Sequence, residues 1–277
     1  MPGTAIVACD AMQVYRGMDV GTAKPTRADQ AQVDHFGLDL VDANERFTVA
    51  EYQAEARGAI AQLRDAGRHV VVVAGTGLYL TALIDDLRFP GEYPEVRASL
   101  EREPSTAVLM ARLETLDPVS AARIESTNRR RIVRALEVCI GSGEPFSATG
   151  PGTDAYPDNG VPQIGIKWER EVLGRRIAER VERMMDAGFL DEVRALLSGP
   201  TLSQTAAKAL GYAELIEHLR GRMSLAEAVT AIVTHTRQFA VRQERWFRRD
   251  PRIRWVHVEH DPVAEVAPAV AEYLRSS

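Results

Sequence analysis

Asp10 is the first residue of the chain placed to do chemistry. It follows the apolar run Ala5-Ile6-Val7-Ala8-Cys9, which reads as a buried strand, so its carboxylate falls where a parallel strand gives way to a loop. Beyond that edge of an open α/β sheet is where ligands bind. A carboxylate there suits either proton transfer or a plain turn, and its immediate neighbours leave both open. Further on, His69-Val70-Val71-Val72-Val73-Ala74 runs into Gly75-Thr76-Gly77-Leu78-Tyr79. Strand, glycine turn and helix start bring Thr76 to the same edge as Asp10. Glycines let a backbone approach a ligand and amides at a helix start favour an anion, while Thr76 equally suits an N-cap. The turn is not a Walker-type phosphate loop, since no Gly-Lys-Ser/Thr follows it.

Arginine supplies the second kind of chemistry. Arg123, Arg129, Arg130, Arg131 and Arg134 face one nearby acid, Glu125, and seven arginines between Arg237 and Arg254 face only Glu244 and Asp250. Along a helix, Arg237, Arg242, Arg245, Arg248 and Arg249 fall within an arc of roughly 140°. Arginines in that number with few acids point to phosphate, in a nucleic acid or a pyrophosphate. The net charge of −5 does not exclude this, because the relevant field is local and screened within about 8 Å.

The elements that position these residues follow from periodicity and caps. Leu38–Val41 reads as a short strand. Thr48 and Glu51 have capping-box spacing and open a helix to Asp65 or Ala66, stopped by Gly67. The β-branched run 69–74 reads as a central strand buried on both faces. From Phe89 to about Ser126 the chain turns helical, with segments 96–102 and 107–116 punctuated by prolines, and no strand is evident. The basic helix Asn128–Glu137 follows, ending near Gly141. Residues 144–162 read as a mobile loop or linker. Gln163–Trp168 resembles a strand, helices follow over 171–187 and 189–197, and Ser224 with Glu227 caps a long helix to about Arg249. Arg252–His257 closes the pattern as a strand. The helices over 171–197 carry no recognisable chemistry.

Composition narrows the class. A hydrophobic content of 45% over 277 residues supports a full core. Cys9 and Cys139 lie far apart and offer neither a disulfide framework nor metal-ligand spacing, which fits a reducing cytoplasm. No basic leader or membrane-length apolar run is present.

Asp10-Ala-Met-Gln-Val-Tyr-Arg-Gly-Met-Asp-Val-Gly-Thr-Ala-Lys-Pro25, Gly75-Thr-Gly-Leu-Tyr79, Asn128-Arg-Arg-Arg-Ile-Val-Arg-Ala-Leu-Glu137 and Arg237-Gln-Phe-Ala-Val-Arg-Gln243 resemble, in order and spacing, the bacterial tRNA dimethylallyltransferase family. The resemblance covers the chain from Ala5 onward. It implies an α/β fold, a P-loop kinase-like parallel sheet flanked by helices, with a helical insertion and a helical C-terminal part. The expected domains are a core of 1–88 and 127–277 and an insertion of 89–126. The implied reaction moves a dimethylallyl group from its diphosphate to the exocyclic amine of the adenosine 3′ of the anticodon, with Mg²⁺ assisting. By resemblance Asp10 is the general base, Gln13 helps hold the adenine, and Thr76 and Arg97 contact substrates. Arg130, Arg131, Arg134, Arg237, Gln238, Arg242 and Gln243 grip tRNA, and Lys24, Gly75 and Gly77 approach the diphosphate. A cytoplasmic, nucleotide-binding (ATP-binding) monomer acting on the anticodon stem-loop is expected. Rival readings are a non-catalytic tRNA-binding remnant and an isopentenyltransferase of free adenine nucleotides.

The family pattern begins with a further strand and a Gly-Pro-Thr-x-x-Gly-Lys-Ser/Thr loop, which this sequence lacks. Either translation starts upstream of Met1, which is favoured, or the segment is lost. The chain as it stands is therefore expected to bind diphosphate weakly and to have little activity.

Overall fold

The computed structural model describes residues 3–150, 152, 153 and 155–276. The expected loop 144–162 includes Pro151 and Asp154, which lie outside the described residues. In chain order the elements are β1 (Thr4–Cys9), β2 (Tyr15–Arg16), α1 (Arg27–Gln32), β3 (Asp34–Phe36), β4 (Val41–Asp42), α2 (Val49–Asp65), β5 (His69–Ala74) and α3 (Gly77–Ile84). Then come α4 (Pro94–Glu101), α5 (Thr106–Leu116), α6 (Pro118–Arg123), α7 (Arg129–Ser142), a short 3₁₀ turn over Phe146–Thr149, and β6 (Gln163–Trp168). The chain ends with α8 (Arg170–Asp186), α9 (Phe189–Ser198), α10 (Gln204–Ala207), α11 (Tyr212–Leu219), α12 (Leu225–Phe247), β7 (Ile253–Val258) and α13 (Pro262–Ser276).

Two compact units result, residues 1–84 with 158–277, and residues 85–157. In the first, β1 lies between β3 and β5 in a parallel three-stranded sheet, and β6 pairs in parallel with β7. The capping boxes form as the sequence dictates. Thr48 Oγ1 accepts from the Glu51 amide at 3.2 Å and Glu51 Oε2 accepts from the Thr48 amide at 2.7 Å, and Ser224 and Glu227 repeat the arrangement for α12. Each box satisfies amides that a helix start leaves open. Tyr15, Tyr52, Tyr212, Phe189 and Met18 are fully buried in this unit's core, each worth about 1.5–3 kcal/mol of transfer free energy.

Several expectations differ from the structure. The strand expected over Leu38–Val41 is instead β3, at Asp34–Phe36, because Ala5, Ile6 and Val7 take Asp34, His35 and Phe36 as partners. Val41 pairs only briefly with Tyr15. The valine run of β5 is not buried on both faces: among the described residues it pairs with β1 alone, and Val73 is 56% exposed. A β-branched run reports strand preference, and it cannot report what covers the strand.

The second unit is helical and longer than the proline punctuation suggested. It extends to Pro157 because the apolar side of α7, with Ile132, Val133, Leu136 and Cys139, packs on α4 and α5 in a common core. Glu137 ties this unit together. Its side chain is 1% exposed, Oε1 accepts from the Tyr93 amide at 2.9 Å, and Oε2 lies 2.8 Å from Arg97 Nη2, with Arg134 Nη1 3.0 Å from Oε1. Asp117, equally buried, caps α6 through the Ser120 amide and accepts from both the amide and the hydroxyl of Ser147.

Burial alone would raise both carboxyls, yet the hydrogen bonds and, at Glu137, the Arg97 and Arg134 charges hold both below their ordinary range. The unfolded chain therefore takes up protons first as pH falls. Stability from these two groups is full above the unfolded carboxylate values, near pH 4–4.5, and is lost as the pH drops through the folded ones. Glu137→Gln should cost about 2 kcal/mol, less than a fully buried pair, because both arginines reach solvent. Chemical denaturation at pH 7 and pH 4 checks this: the variant loses stability at pH 7 and shows a flatter decline between the two.

Candidate active site

The strand pairing that ends at Cys9 opposite Ala74 places Asp10 beside Gly75. Asp10 Oδ1 is committed to the loop, accepting from the Met12 amide at 2.8 Å and the Gln13 amide at 3.2 Å. The other oxygen, Oδ2, looks toward the 75–77 turn: a Cβ added to Gly75 would lie 3.4 Å from it. Thr76 Oγ1 accepts from the Ala11 amide at 3.2 Å, which ties the two loops together and leaves the hydroxyl proton free. Thr76 thus bridges strand ends rather than serving as a simple helix cap.

Behind Asp10 the surroundings are apolar. The Cys9 thiol is pushed up to about 12, chiefly by burial, with the Asp10 charge adding to the effect. Tyr52 donates to the Ala8 carbonyl at 2.9 Å and its ring lies 4.8 Å from that of Tyr79. Burial raises both phenols, so they stay protonated. Asp10 stands between this low-dielectric wall and the open rim of the sheet.

The glycine turn is shaped by the protein itself. Gln243 of α12 donates to the Gly75 carbonyl at 2.6 Å, and a Cβ on Gly77 would fall 2.2 Å from Trp246 Cδ1. Gly75 and Gly77 are therefore needed for the approach of α12, whatever else approaches them. Gln243, expected at tRNA, is spent on this contact. Gln13 donates its amide protons to the carbonyls of Thr22 and Ala23 at 3.1 and 3.3 Å, leaving Oε1 as an acceptor. An acceptor is the group that reads the exocyclic amine of adenine.

Lys24 departs from expectation. Its ammonium is buried and meets Tyr15 O at 2.8 Å and Asp19 Oδ1 and Asp39 Oδ1 at 2.6 Å each. All three of its protons are used, so none is left for a diphosphate.

A residue the sequence did not single out is uncommitted instead. Arg180 of α8 carries no hydrogen bond or ion pair among the described residues, and it lines a cavity of about 410 Å³ with Arg183, Arg27 and Lys24. Desolvation holds its guanidinium below the ordinary range, opposed by the Asp10 charge and reinforced by Arg183. The i, i+4, i+7 spacing of Arg176, Arg180 and Arg183 was visible in the sequence, and it puts all three on one helix face. Arg176 is taken by the Trp168 ring, 4.2 Å away.

The basic stretches also divide. Arg237 donates to the Gly174 carbonyl at 3.1 Å and Arg248 pairs with Glu244. Gln238, Arg242 and Arg245 are exposed along α12, with Arg242 stacked on Phe239. In the helical unit, Arg97 and Arg134 serve Glu137, and Arg134 also donates to the Pro90 carbonyl at 2.8 Å. Arg130 and Arg131 are exposed and their side chains have no hydrogen-bond partner among the described residues.

For a divalent cation, Asp10 Oδ2 and Thr76 Oγ1 are oxygen donors of the right kind. No cluster of three or more His, Cys, Asp or Glu suited to a metal occurs among the described residues. That donor set fits Mg²⁺, which keeps waters and takes most of its remaining ligands from a phosphate substrate.

Comparison with known proteins gives one consistent result. A family model described as IPP transferase matches residues 13–250. The chain is 48% identical over 256 residues to the tRNA dimethylallyltransferase of Thermobifida fusca, covering 91% of this chain and 79% of that protein. It is 44% identical over 269 residues to that of a Nocardioides species, covering 96% and 86%. A crystal structure of the full-length tRNA isopentenylpyrophosphate transferase from Bacillus halodurans superposes with a TM-score of 0.68 at 33% identity, covering 99% of this chain and 89% of that one. The parallel sheet, the strand-end carboxylate and these likenesses agree, and the chain belongs to the IPP transferase family of transferases.

Proposed function

We propose that this chain transfers a dimethylallyl group from dimethylallyl diphosphate to the exocyclic amine of the adenosine 3′ of a tRNA anticodon, in the cytoplasm. The observation that carries the reading is Asp10, with Oδ1 locked by two amides and Oδ2 turned toward the Gly75–Thr76 turn. An adenine amine is a weak nucleophile, because its lone pair is delocalised into the ring. It attacks only as its proton is removed. As the nitrogen–carbon bond forms, the carbon–oxygen bond to the diphosphate breaks, Oδ2 takes the amine proton, and diphosphate leaves. Gln13 Oε1 orients the amine by accepting its second proton. Arg180 faces the developing charge on the leaving group, and Mg²⁺, which Thr76 Oγ1 and the diphosphate oxygens would hold while Oδ2 stays free for the proton, would supply further neutralisation when bound. The target base must leave the anticodon-loop stack to reach this edge.

Asp10→Asn should lower transfer to tRNA about 10³-fold with little change in tRNA retention on a filter. Equal activity in the variant would remove Asp10 from the base's role. Arg180→Ala should raise KM for dimethylallyl diphosphate on the order of tenfold or more, leaving KM for tRNA nearly constant.

The arginine assignments separate by salt dependence. Replacing Arg130, Arg131, Arg242 or Arg245 by Ala should reduce the salt slope of tRNA binding by about one each. Arg97→Ala and Arg134→Ala should instead lower thermal stability.

A further inference from the structure

We infer that Glu192, together with Tyr212, is a positioning clamp for the loop that holds Gln13, and through Gln13 for the adenine amine; this rests on the transfer proposed above. Glu192 Oε2 accepts from the amides of Asp19 at 2.9 Å and Val20 at 2.7 Å. Its Oε1 accepts from the Gly21 amide at 3.1 Å and from the Tyr212 hydroxyl at 2.5 Å. Three successive backbone amides thus converge on one carboxylate. Such a nest binds anions in many folds, and here the protein fills it with its own side chain.

The rest of the loop shows why a clamp is needed. Ala23 sits at φ +49°, a conformation that a residue with a Cβ holds only when its surroundings impose it. Next to it, the Thr22 and Ala23 carbonyls are the acceptors for Gln13 Nε2. If the loop relaxes, Gln13 loses both anchors at once. The loop is also pressed onto aromatic rings: a Cβ on Gly21 would lie 2.1 Å from Phe189 Cε2 and 2.6 Å from Tyr212 Cε2. Those rings meet edge to face at 5.0 Å.

Tyr212 is itself held firmly. It is fully buried at the start of α11, where the Gly211 amide donates to Glu214 Oε2 at 2.8 Å. Burial and the Glu192 charge keep its hydroxyl protonated and donating. Lys24 secures the opposite side of the loop through Asp19 Oδ1. No group in the clamp faces the reacting atoms, so Glu192 and Tyr212 are positioning residues.

The test uses the full chain carrying Glu192→Gln or Tyr212→Phe. Hydrogen exchange of peptides spanning residues 17–24 should quicken about tenfold in Glu192→Gln, and less in Tyr212→Phe, at a nearly unchanged melting temperature. In single-turnover transfer to tRNA with enzyme in excess, Glu192→Gln should lose roughly 30-fold in rate, with the half-saturating dimethylallyl diphosphate concentration within about twofold of the unaltered chain's. If the loss runs through Gln13, then in a Gln13→Ala background the same substitution should cost less than about threefold more. Unchanged exchange at 17–24, or the full 30-fold loss repeated in the Gln13→Ala background, overturns the clamp. Absence of transfer by the unaltered chain overturns the proposed function instead, and the exchange experiment still decides whether Glu192 holds the loop.

Discussion

The parallel pairing of β1 with β5 is the constraint on which the site depends. Its last register pair, Cys9 with Ala74, brings two loops out of the sheet side by side, one starting at Asp10 and the other at Gly75. The first loop fixes the Asp10 carboxylate through its own Met12 and Gln13 amides. The Ala11 amide to Thr76 hydroxyl bond and the Asp10 turn make them one rigid edge. A shift of one residue in this register would carry Asp10 to the opposite face and dissolve the site.

From that edge the supports spread in order. α12 seats Gln243 and Trp246 against the glycine turn. α9 and α11 brace the loop after β2 through Glu192 and Tyr212, and α8 brings Arg180 within electrostatic reach of Asp10. The charged residues fall into two populations with different physics. Lys24, Arg97, Arg134 and Arg237 spend their charge or hydrogen bonds on the protein, whereas the side chains of Arg130, Arg131, Arg180, Arg242 and Arg245 carry no hydrogen bond or ion pair among the described residues. Only the second population can contribute strongly to binding a polyanion, because the first would first have to abandon internal partners.

Much of this was legible in the sequence, for physical reasons. β1, β5, β6 and β7 have short apolar runs, and α2 and α12 carry complete capping boxes, so local chemistry alone specifies them. Asp10 and Thr76 were found because a strand end followed by a turn is a local pattern. α10, α11 and α13 are not evident from the sequence although Ser203 caps α10 and Asp261 caps α13; α10 and α11 are only four and eight residues long, and packing fixes their helicity. The fate of Lys24 is not legible either: its partners Tyr15, Asp19 and Asp39 are near in sequence, but only the folded loops turn all three onto one ammonium. Arg180 had a local signal in its heptad spacing, but only the structure shows that Asp10 lies within its field. The Glu192 clamp had none, since the loop amides it holds are 171 to 173 residues away in sequence and Tyr212 is 20 away.

The central claim is that one oxygen of Asp10 is locked and the other is the base. A structure of the chain bound to an anticodon stem-loop measures this directly, through the distance from each Asp10 oxygen to N6 of the adenine 3′ of the anticodon. The account predicts N6 within hydrogen-bond distance of Oδ2, with Oδ1 still held by the Met12 and Gln13 amides. An adenine whose N6 meets Oδ1, or that lies beyond reach of Asp10 altogether, would contradict it.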